Sequence, residues 1–322
     1  MAGRIHGVVD SSRRIIVRIS SLTLRIRNQQ TTRRGWTLCE VVACLIVVGL
    51  FGVLTLPAVE QSREIARRMQ CEERLQKIGV ALHNYYAAYE TLPSGWIHSS
   101  NQPSQGGGFG WQCLMLPFLE PDEIFSNLDF EAPFPLAKVS GLLQAPVSVY
   151  RCPADLTTDL NPMRGDYATS NYSGNFGDSA LPRWITGRRT VSWPGQMPTP
   201  KESNGIFCWN SDVRLESITD GTANTFMVGE RCVTSGAGIW PGVAANEFEN
   251  DQVTDCHHIS RLNKGPRSFS SLHADGANFL FADGSVKFLA DGIESLPGQG
   301  GRMGIYQKLA NRFDGRPVNL PE

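Results

Sequence analysis

The sequence lacks the short motifs that mark the commonest enzyme classes. It has no phosphate-binding P-loop, no glycine fingerprint for a dinucleotide and no nucleophile elbow. It also lacks internal repeats and low-complexity tracts, which excludes solenoid proteins and disordered chains. We therefore predict that the chain is not an enzyme. With 41% hydrophobic and 19% charged residues, its composition is that of a largely globular protein.

Acidic residues are nearly missing from residues 1–35. This stretch holds eight arginines, no lysine and a single acid, Asp10, which gives it a charge of +7. The rest of the chain carries a net charge of −8. The acidic remainder argues against nucleic acid as a partner, and the basic start is typical of a segment that flanks a membrane anchor.

Residues 36–59 form a long apolar run whose one charged side chain is Glu40. As a helix the run rises about 36 Å, more than the roughly 30 Å thickness of a hydrocarbon core, so we predict a membrane anchor in contact with lipid. The basic flank places the N-terminus in the cytoplasm. We expect a single-pass inner-membrane protein whose head lies in the periplasm or at the cell surface.

Residues 33–40, RRGWTLCE, resemble the processing motif of type IV prepilins. The resemblance implies a cytoplasmic leader, cleavage by a prepilin peptidase between Gly35 and Trp36, and methylation of the new N-terminus. It also implies that Glu40 neutralises the N-terminal ammonium of a neighbouring subunit during assembly. Pro57 falls at the twenty-second mature position, where many pilins carry a proline.

The next segment, residues 60–92, repeats apolar side chains at steps of three and four, which predicts an amphipathic stalk helix continuous with the anchor. Residues 93–322 contain short apolar runs separated by glycine, proline and asparagine. The pair Asp283-Gly284 between two such runs predicts a β-hairpin. We predict an α+β, pilin-like fold in which the long N-terminal helix packs on an antiparallel sheet of the extracytoplasmic head.

Several motifs together resemble a bacterial family called domain of unknown function 1559 (DUF1559). They begin with residues 57–71 and end with residues 273–284, where a histidine, nine further residues and Asp-Gly form the H-X9-DG signature. The segments CPAD, SNYSGN, ITDGTANT and VGE lie between them in the expected order. The motif residues are Cys152, Asp155, Asp220, Gly221, Asn224, Glu230, His273, Asp283 and Gly284.

The H-X9-DG signature invites a catalytic or metal-binding interpretation, but a run of strand would separate His273 from Asp283. Turn formation explains the Asp-Gly pairs better, because glycine accepts a positive φ and aspartate bonds its own backbone. We therefore predict no catalytic residue, no metal site and no cofactor. Calcium is the alternative, with oxygens from Asp275, Asp283 and Asp291.

The cysteines that follow the anchor face a compartment where we expect oxidation. They are Cys71, Cys113, Cys152, Cys208, Cys232 and Cys256. Cys208 and Cys232 end the strands predicted at residues 205–209 and 225–229, on either side of the Asp220 loop, so we predict that they form a disulfide. Free, buried thiols are the alternative.

The leading functional hypothesis is a type IV pilin-like or pseudopilin subunit, processed at Gly35 and assembled through its N-terminal helix in a secretion or surface apparatus. Its partners would be the prepilin peptidase, itself or other pilin-like subunits, and membrane lipid. The alternative is an anchored extracytoplasmic protein that binds a solute, a glycan or a protein partner without forming a filament.

Overall fold

A computed structural model describes the chain from Gly35 onward with several gaps. The described residues are 35–97, 108–119, 123–130, 141–178, 203–243, 251–266, 268–296, 303–316 and 318. The predicted leader, except for Gly35, lies outside them. Within the described residues the structure combines one long helix, several short helices and three small sheets. This combination confirms the predicted α+β fold class.

Helix α1, Leu38–Tyr89, is 52 residues long and continues through Pro57, so the predicted anchor and stalk form one helix. Its first part exposes large apolar side chains, among them Leu45, Val48 and Phe51, each at least 65% exposed. Among the described residues, α1 is the one helix long and apolar enough to cross a membrane. This supports a single-pass membrane protein or a signal anchor.

The other elements are short. The helices are α2 (Trp111–Leu114), α3 (Leu116–Leu119), α4 (Glu123–Ser126) and α5 (Ile305–Ala310). The strands are β1 (Trp96–Ile97), β2 (Gly108–Gly110), β3 (Leu160–Asn161), β4 (Tyr167–Ser170), β5 (Tyr172–Gly177), β6 (Phe226–Glu230), β7 (Gly238–Ile239), β8 (Gly242–Val243), β9 (Val253–Asp255), β10 (Gly276–Phe281) and β11 (Val286–Ala290).

The largest sheet has five strands in the order β11-β10-β6-β5-β9. Its pairings are antiparallel except that of β5 with β9, which is parallel. β10 and β11 form the predicted hairpin around Asp283 and Gly284. No strand forms at residues 205–209, so that prediction is wrong. The backbone N–H groups of residues 205–207 instead donate to carbonyls of β5, and Trp209 forms an isolated bridge with Trp96.

The C-terminal half of α1 packs into the head. Leu75, Ile78 and Leu82 are fully buried in the main hydrophobic core. Gly79 lies between them on the helix, and a Cβ added there would stand 2.8 Å from the Cδ1 atom of Leu280 in β10. Glycine therefore permits a close approach between the helix and the five-stranded sheet.

Side chains of β10 alternate between two hydrophobic clusters. Leu280 joins the cluster that contains α1. Phe279 and Phe281 join a second cluster with Phe226 and with Tyr306 of α5. Because successive strand residues point to opposite faces, α1 covers one face of the sheet and α5 the other.

Candidate functional site

Five side chains from distant parts of the sequence meet beside α1. We call them the His273 cluster, and its members are Glu64, Cys71, Cys152, Glu230 and His273. Glu64 and Cys71 lie seven residues apart on α1, and two helical turns bring such residues to one face. Cys152 comes from a loop, Glu230 ends β6 and His273 precedes β10. Three motif residues that are far apart in sequence therefore share one site.

His273 is the centre of this cluster, and its side chain is fully buried. Its Nδ1 atom lies 2.7 Å from Glu64 Oε1 and its Nε2 atom 3.5 Å from Glu230 Oε1. Nε2 also lies 3.8 Å from the Sγ atom of Cys152. Burial by itself lowers the pKa of His273, but hydrogen bonds and ion pairing with Glu230 and then Glu64 outweigh it and raise the pKa.

The orientation of Glu230 is fixed by Asn278 of β10. The backbone N–H of Asn278 donates to Glu230 Oε2 at 2.8 Å, and its side-chain Nδ2 donates to Oε1 at 3.1 Å. Glu230 is 1% exposed, so these bonds compensate for the loss of water around its carboxylate.

Asp155, another of the motif residues, holds the loop that carries Cys152. Asp155 accepts hydrogen bonds from the Asn171 side chain at 2.6 Å and from the backbone N–H of Val233 at 2.8 Å. The other end of the Asn171 amide accepts a bond from the backbone N–H of Cys152 at 2.9 Å. The CPAD and SNYSGN motifs are thus joined directly beside the cluster.

Cys71 and Cys152 form a disulfide, with their Cα atoms 5.5 Å apart. The predicted bond between Cys208 and Cys232 is wrong, since the structure does not join these two thiols. That prediction rested on a strand ending at each of the two cysteines, and no strand forms at residues 205–209. Cys232 instead contacts the Ser270 hydroxyl at 3.3 Å.

The ligand atoms of Cys71, Cys152, Glu230 and His273 all lie within 4.8 Å of one another. Among the described residues this is the one group of three or more histidine, cysteine or acidic side chains that is close enough to hold a metal ion. Sulfur, imidazole nitrogen and carboxylate oxygen are ligands suited to Zn²⁺. In the disulfide form, however, the two sulfur atoms are bonded to each other.

The motif residues Asp220, Gly221 and Asn224 form a separate site near the C-terminus. Asp220 Oδ2 accepts a bond from the backbone N–H of Asp314 at 2.7 Å, and Oδ1 accepts one from that of Gly315 at 2.8 Å. Asn224 donates to the Asp220 carbonyl at 3.1 Å. Gly221 has a φ of +99°, which glycine adopts without strain. This loop therefore fastens the segment after α5.

Replacing Asp314 with asparagine is expected to change how stability depends on pH. Burial and a hydrogen bond with Asp220 raise the pKa of Asp314 to about 6. A raised folded-state pKa means that ionisation above this pH costs stability. After allowance for solvent screening, Asp314→Asn should stabilise the chain by about 1 kcal/mol at pH 8 and give no gain at pH 4.

Urea unfolding of the detergent-solubilised chain at the two pH values measures this difference. Asp283→Asn controls for the loss of one negative charge. A gain of equal size at both pH values would contradict the prediction.

Asp283 and Gly284 form the turn of the β10–β11 hairpin. Asp283 Oδ1 accepts bonds from the backbone N–H of Ser285 at 2.9 Å and from its hydroxyl at 2.6 Å, and Gly284 has a φ of +86°. Asp275 and Asp291 lie at the other end of the hairpin, where the N–H of Asp291 donates to the Asp275 carbonyl at 2.9 Å. Asp275, Asp283 and Asp291 therefore do not form one calcium site, because the length of the strands separates Asp283 from the other two.

The predicted processing residues lie directly before and within the first turn of α1. Gly35 and Trp36 precede the helix, and Thr37 is its N-cap. The backbone N–H and hydroxyl of Thr37 donate to Glu40 Oε2 at 2.9 and 3.0 Å, while the Glu40 N–H donates to the Thr37 hydroxyl at 3.4 Å. This reciprocal pair is a capping box. Glu40 therefore has a local role that the processing motif alone does not reveal.

Two members of the His273 cluster were missing from the predicted site residues. Glu64 and Cys71 both lie on α1, where charged positions fit the solvent side of an amphipathic helix. Their spacing of seven residues was the available signal, since it puts a carboxylate and a thiol on one helix face. Nothing in the sequence indicates that this face meets Cys152 and His273.

Comparison with known proteins gives one match, to a family model that covers the motif residues described above. No curated protein and no solved structure matches the chain. A family model described as a protein of unknown function (DUF1559) matches residues 60–296. The match includes every residue of the His273 cluster and the Asp220 loop, and it covers well over half of the chain. The chain belongs to the DUF1559 family.

Proposed function

We propose that this chain is a type IV pilin-like subunit, cleaved after Gly35, that sits in the inner membrane and assembles through α1. In this proposal its N-terminus starts in the cytoplasm, its head is extracytoplasmic, and its role is structural rather than catalytic. The prepilin peptidase and other pilin-like subunits, including copies of itself, are the partners.

The observation that carries the proposal is the start of α1. The helix begins at Leu38, three residues after the glycine of the processing motif, and its first half exposes apolar side chains such as Leu45 and Phe51. Side chains of this kind need lipid or neighbouring helices around them. A pilin-like subunit uses both, first in the membrane and then in the filament.

The capping box is compatible with a role for Glu40 in assembly. Both bonds from Thr37 use Oε2 of Glu40. In the assembled filament, the other oxygen, Oε1, pairs with the N-terminal ammonium of the neighbouring subunit. Pairing of the two charges would offset the cost of moving each of them out of water.

Two variants distinguish the helix-capping role of Glu40 from the role of its negative charge. Glu40→Gln retains a side chain that completes a capping box but removes the negative charge, whereas Glu40→Ala removes both. Chemical crosslinking in the membrane should give a ladder of oligomers for the wild type and for Glu60→Ala, an exposed glutamate further along α1. We expect both Glu40 variants to lose the ladder.

Mass spectrometry of the membrane form supplies the second test. We expect an N-methylated Trp36 as the first residue in the wild type and in both Glu40 variants. Retention of residues before Gly35 would overturn the proposal. A wild-type chain that is cleaved but remains monomeric would favour the anchored binding protein instead.

A further inference from the structure

We propose that the reduced form of the chain binds one Zn²⁺ ion between Cys71, Cys152, His273 and Glu230. In this form the disulfide is open and both cysteines are thiolates. The inference goes beyond the proposed function and does not depend on filament assembly, because every residue involved lies in the head or on the part of α1 that packs against it.

Two spacings within the ligand group already fit a tetrahedral site, and all its ligand atoms lie within 4.8 Å of one another. Zinc bonds of about 2.0 Å to nitrogen or oxygen and about 2.3 Å to sulfur place neighbouring ligand atoms roughly 3.3 to 3.8 Å apart. His273 Nε2 lies 3.5 Å from Glu230 Oε1 and 3.8 Å from Cys152 Sγ. Opening the disulfide lets Cys71 Sγ move away from Cys152 Sγ to the same kind of distance. The backbone already holds the two cysteines 5.5 Å apart at Cα.

The residues that hydrogen-bond to the ligand residues are of the kinds found around zinc sites. Glu64 Oε1 lies 2.7 Å from Nδ1 of His273, so it orients the ring with Nε2 toward the ligand group. Carboxylate–histidine–zinc arrangements use the same contact to fix the tautomer and raise the basicity of the ligand. Asn278 holds Glu230, and Asn171 holds the backbone of Cys152. These contacts exist before any ion binds.

The disulfide and the zinc site exclude each other. A dithiol reductant would transfer two electrons and two protons to the Cys71–Cys152 bond, giving two thiols, and would itself become a disulfide. Binding of Zn²⁺ then releases both thiol protons, and the Nε2 proton of His273 when its ring is charged, because only thiolates and a neutral imidazole coordinate the ion. Two thiolates and Glu230 bring three negative charges to the divalent ion, so the bound site carries one net negative charge.

Metal titration of the full chain in detergent tests the proposal. A phosphine opens the disulfide and is removed, and the chain is titrated with Co²⁺ and then with Zn²⁺. We expect one ion per chain, a thiolate-to-cobalt charge-transfer band, and the visible bands of tetrahedral Co²⁺ that Zn²⁺ abolishes. The oxidised chain should show none of these signals.

Single substitutions test whether the ion binds at the His273 cluster. Cys152→Ser and His273→Gln should abolish the tetrahedral cobalt spectrum, and Glu64→Gln should weaken Zn²⁺ binding about 10- to 100-fold. Cys256→Ser is the matched control, because this buried cysteine lies outside the cluster, and it should bind like the wild type. Circular dichroism verifies that each variant is folded.

Alkylation of the reduced wild type tests the same proposal without any substitution. Zn²⁺ should protect Cys71 and Cys152 from iodoacetamide, as mapped by mass spectrometry, and leave the labelling of Cys232 unchanged. Absence of tight binding, or binding that His273→Gln and Cys152→Ser leave intact, would overturn the proposal. Protection of other cysteines in place of Cys71 and Cys152 would do the same.

Discussion

Replacing both Cys71 and Cys152 with alanine is expected to lower the free energy of unfolding by about 4.5 kcal/mol. The disulfide joins residues that are 81 positions apart in sequence. A crosslink of that span removes much of the conformational freedom of the unfolded chain, which is the main source of its stabilising effect. Urea unfolding under non-oxidising and non-reducing conditions, followed by tryptophan fluorescence, measures the change.

Reduction of the wild type is the control for this result. Treatment with a metal-free reductant should lower the stability of the wild type nearly as much as the double substitution does. The same treatment should leave the Cys71→Ala/Cys152→Ala variant unchanged. Equal stability of the oxidised wild type and the double variant would show that this bond contributes nothing to the head.

The second large effect is expected for His273→Leu, which should lower the free energy of unfolding by about 3 to 5 kcal/mol. The substitution leaves the buried carboxylate of Glu230 facing that of Glu64 without the imidazole between them. An uncompensated buried charge is expensive, and the leucine offers it no hydrogen bond. Urea unfolding at pH 6, with the disulfide intact, measures the loss.

The pH dependence of this loss follows from the raised pKa of His273. The ion-pair contribution is fully present below the ordinary histidine pKa of about 6.5 and falls as the pH rises through the folded-state value. The loss in His273→Leu should therefore be larger at pH 6 than at pH 9.

His83 provides a matched control on α1. Its Nε2 atom has no hydrogen-bond partner among the described residues, so His83→Leu removes no ion pair. We expect that variant to retain nearly all of its stability. Similar losses in the two variants would mean that the carboxylate partners of His273 are unimportant.

Local patterns in the sequence predicted the long helix and the hairpin. α1 follows from an apolar run joined to a three- and four-residue repeat, and the β10–β11 turn follows from Asp283-Gly284. In both cases the interactions that form the element join residues close in sequence. The capping box of Thr37 and Glu40 is equally local and its spacing S/T-x-x-E is visible in the sequence, but it was not among the predictions.

The His273 cluster could not be predicted in this way. Cys71 and Cys152 are brought together by the packing of α1 on the head, and a sequence with six cysteines after the anchor permits many pairings. The prediction that chose Cys208 and Cys232 relied on a strand at residues 205–209. Residues 205–207 instead hydrogen-bond to carbonyls of β5 without forming a strand. Non-local topology, rather than local propensity, decides which motif residues meet.

The Cys71–Cys152 bond closes residues 71–152 into a covalent ring. The membrane-facing part of α1 enters this ring at residue 71, and most of the strands of the head follow after residue 152. A protease that cuts once inside the ring opens it but leaves the anchor and the sheet on one molecule. A cut between residue 152 and the sheet separates them. Shedding of the sheet from the membrane therefore requires either a cut outside the ring or a cut inside it together with reduction of this single bond.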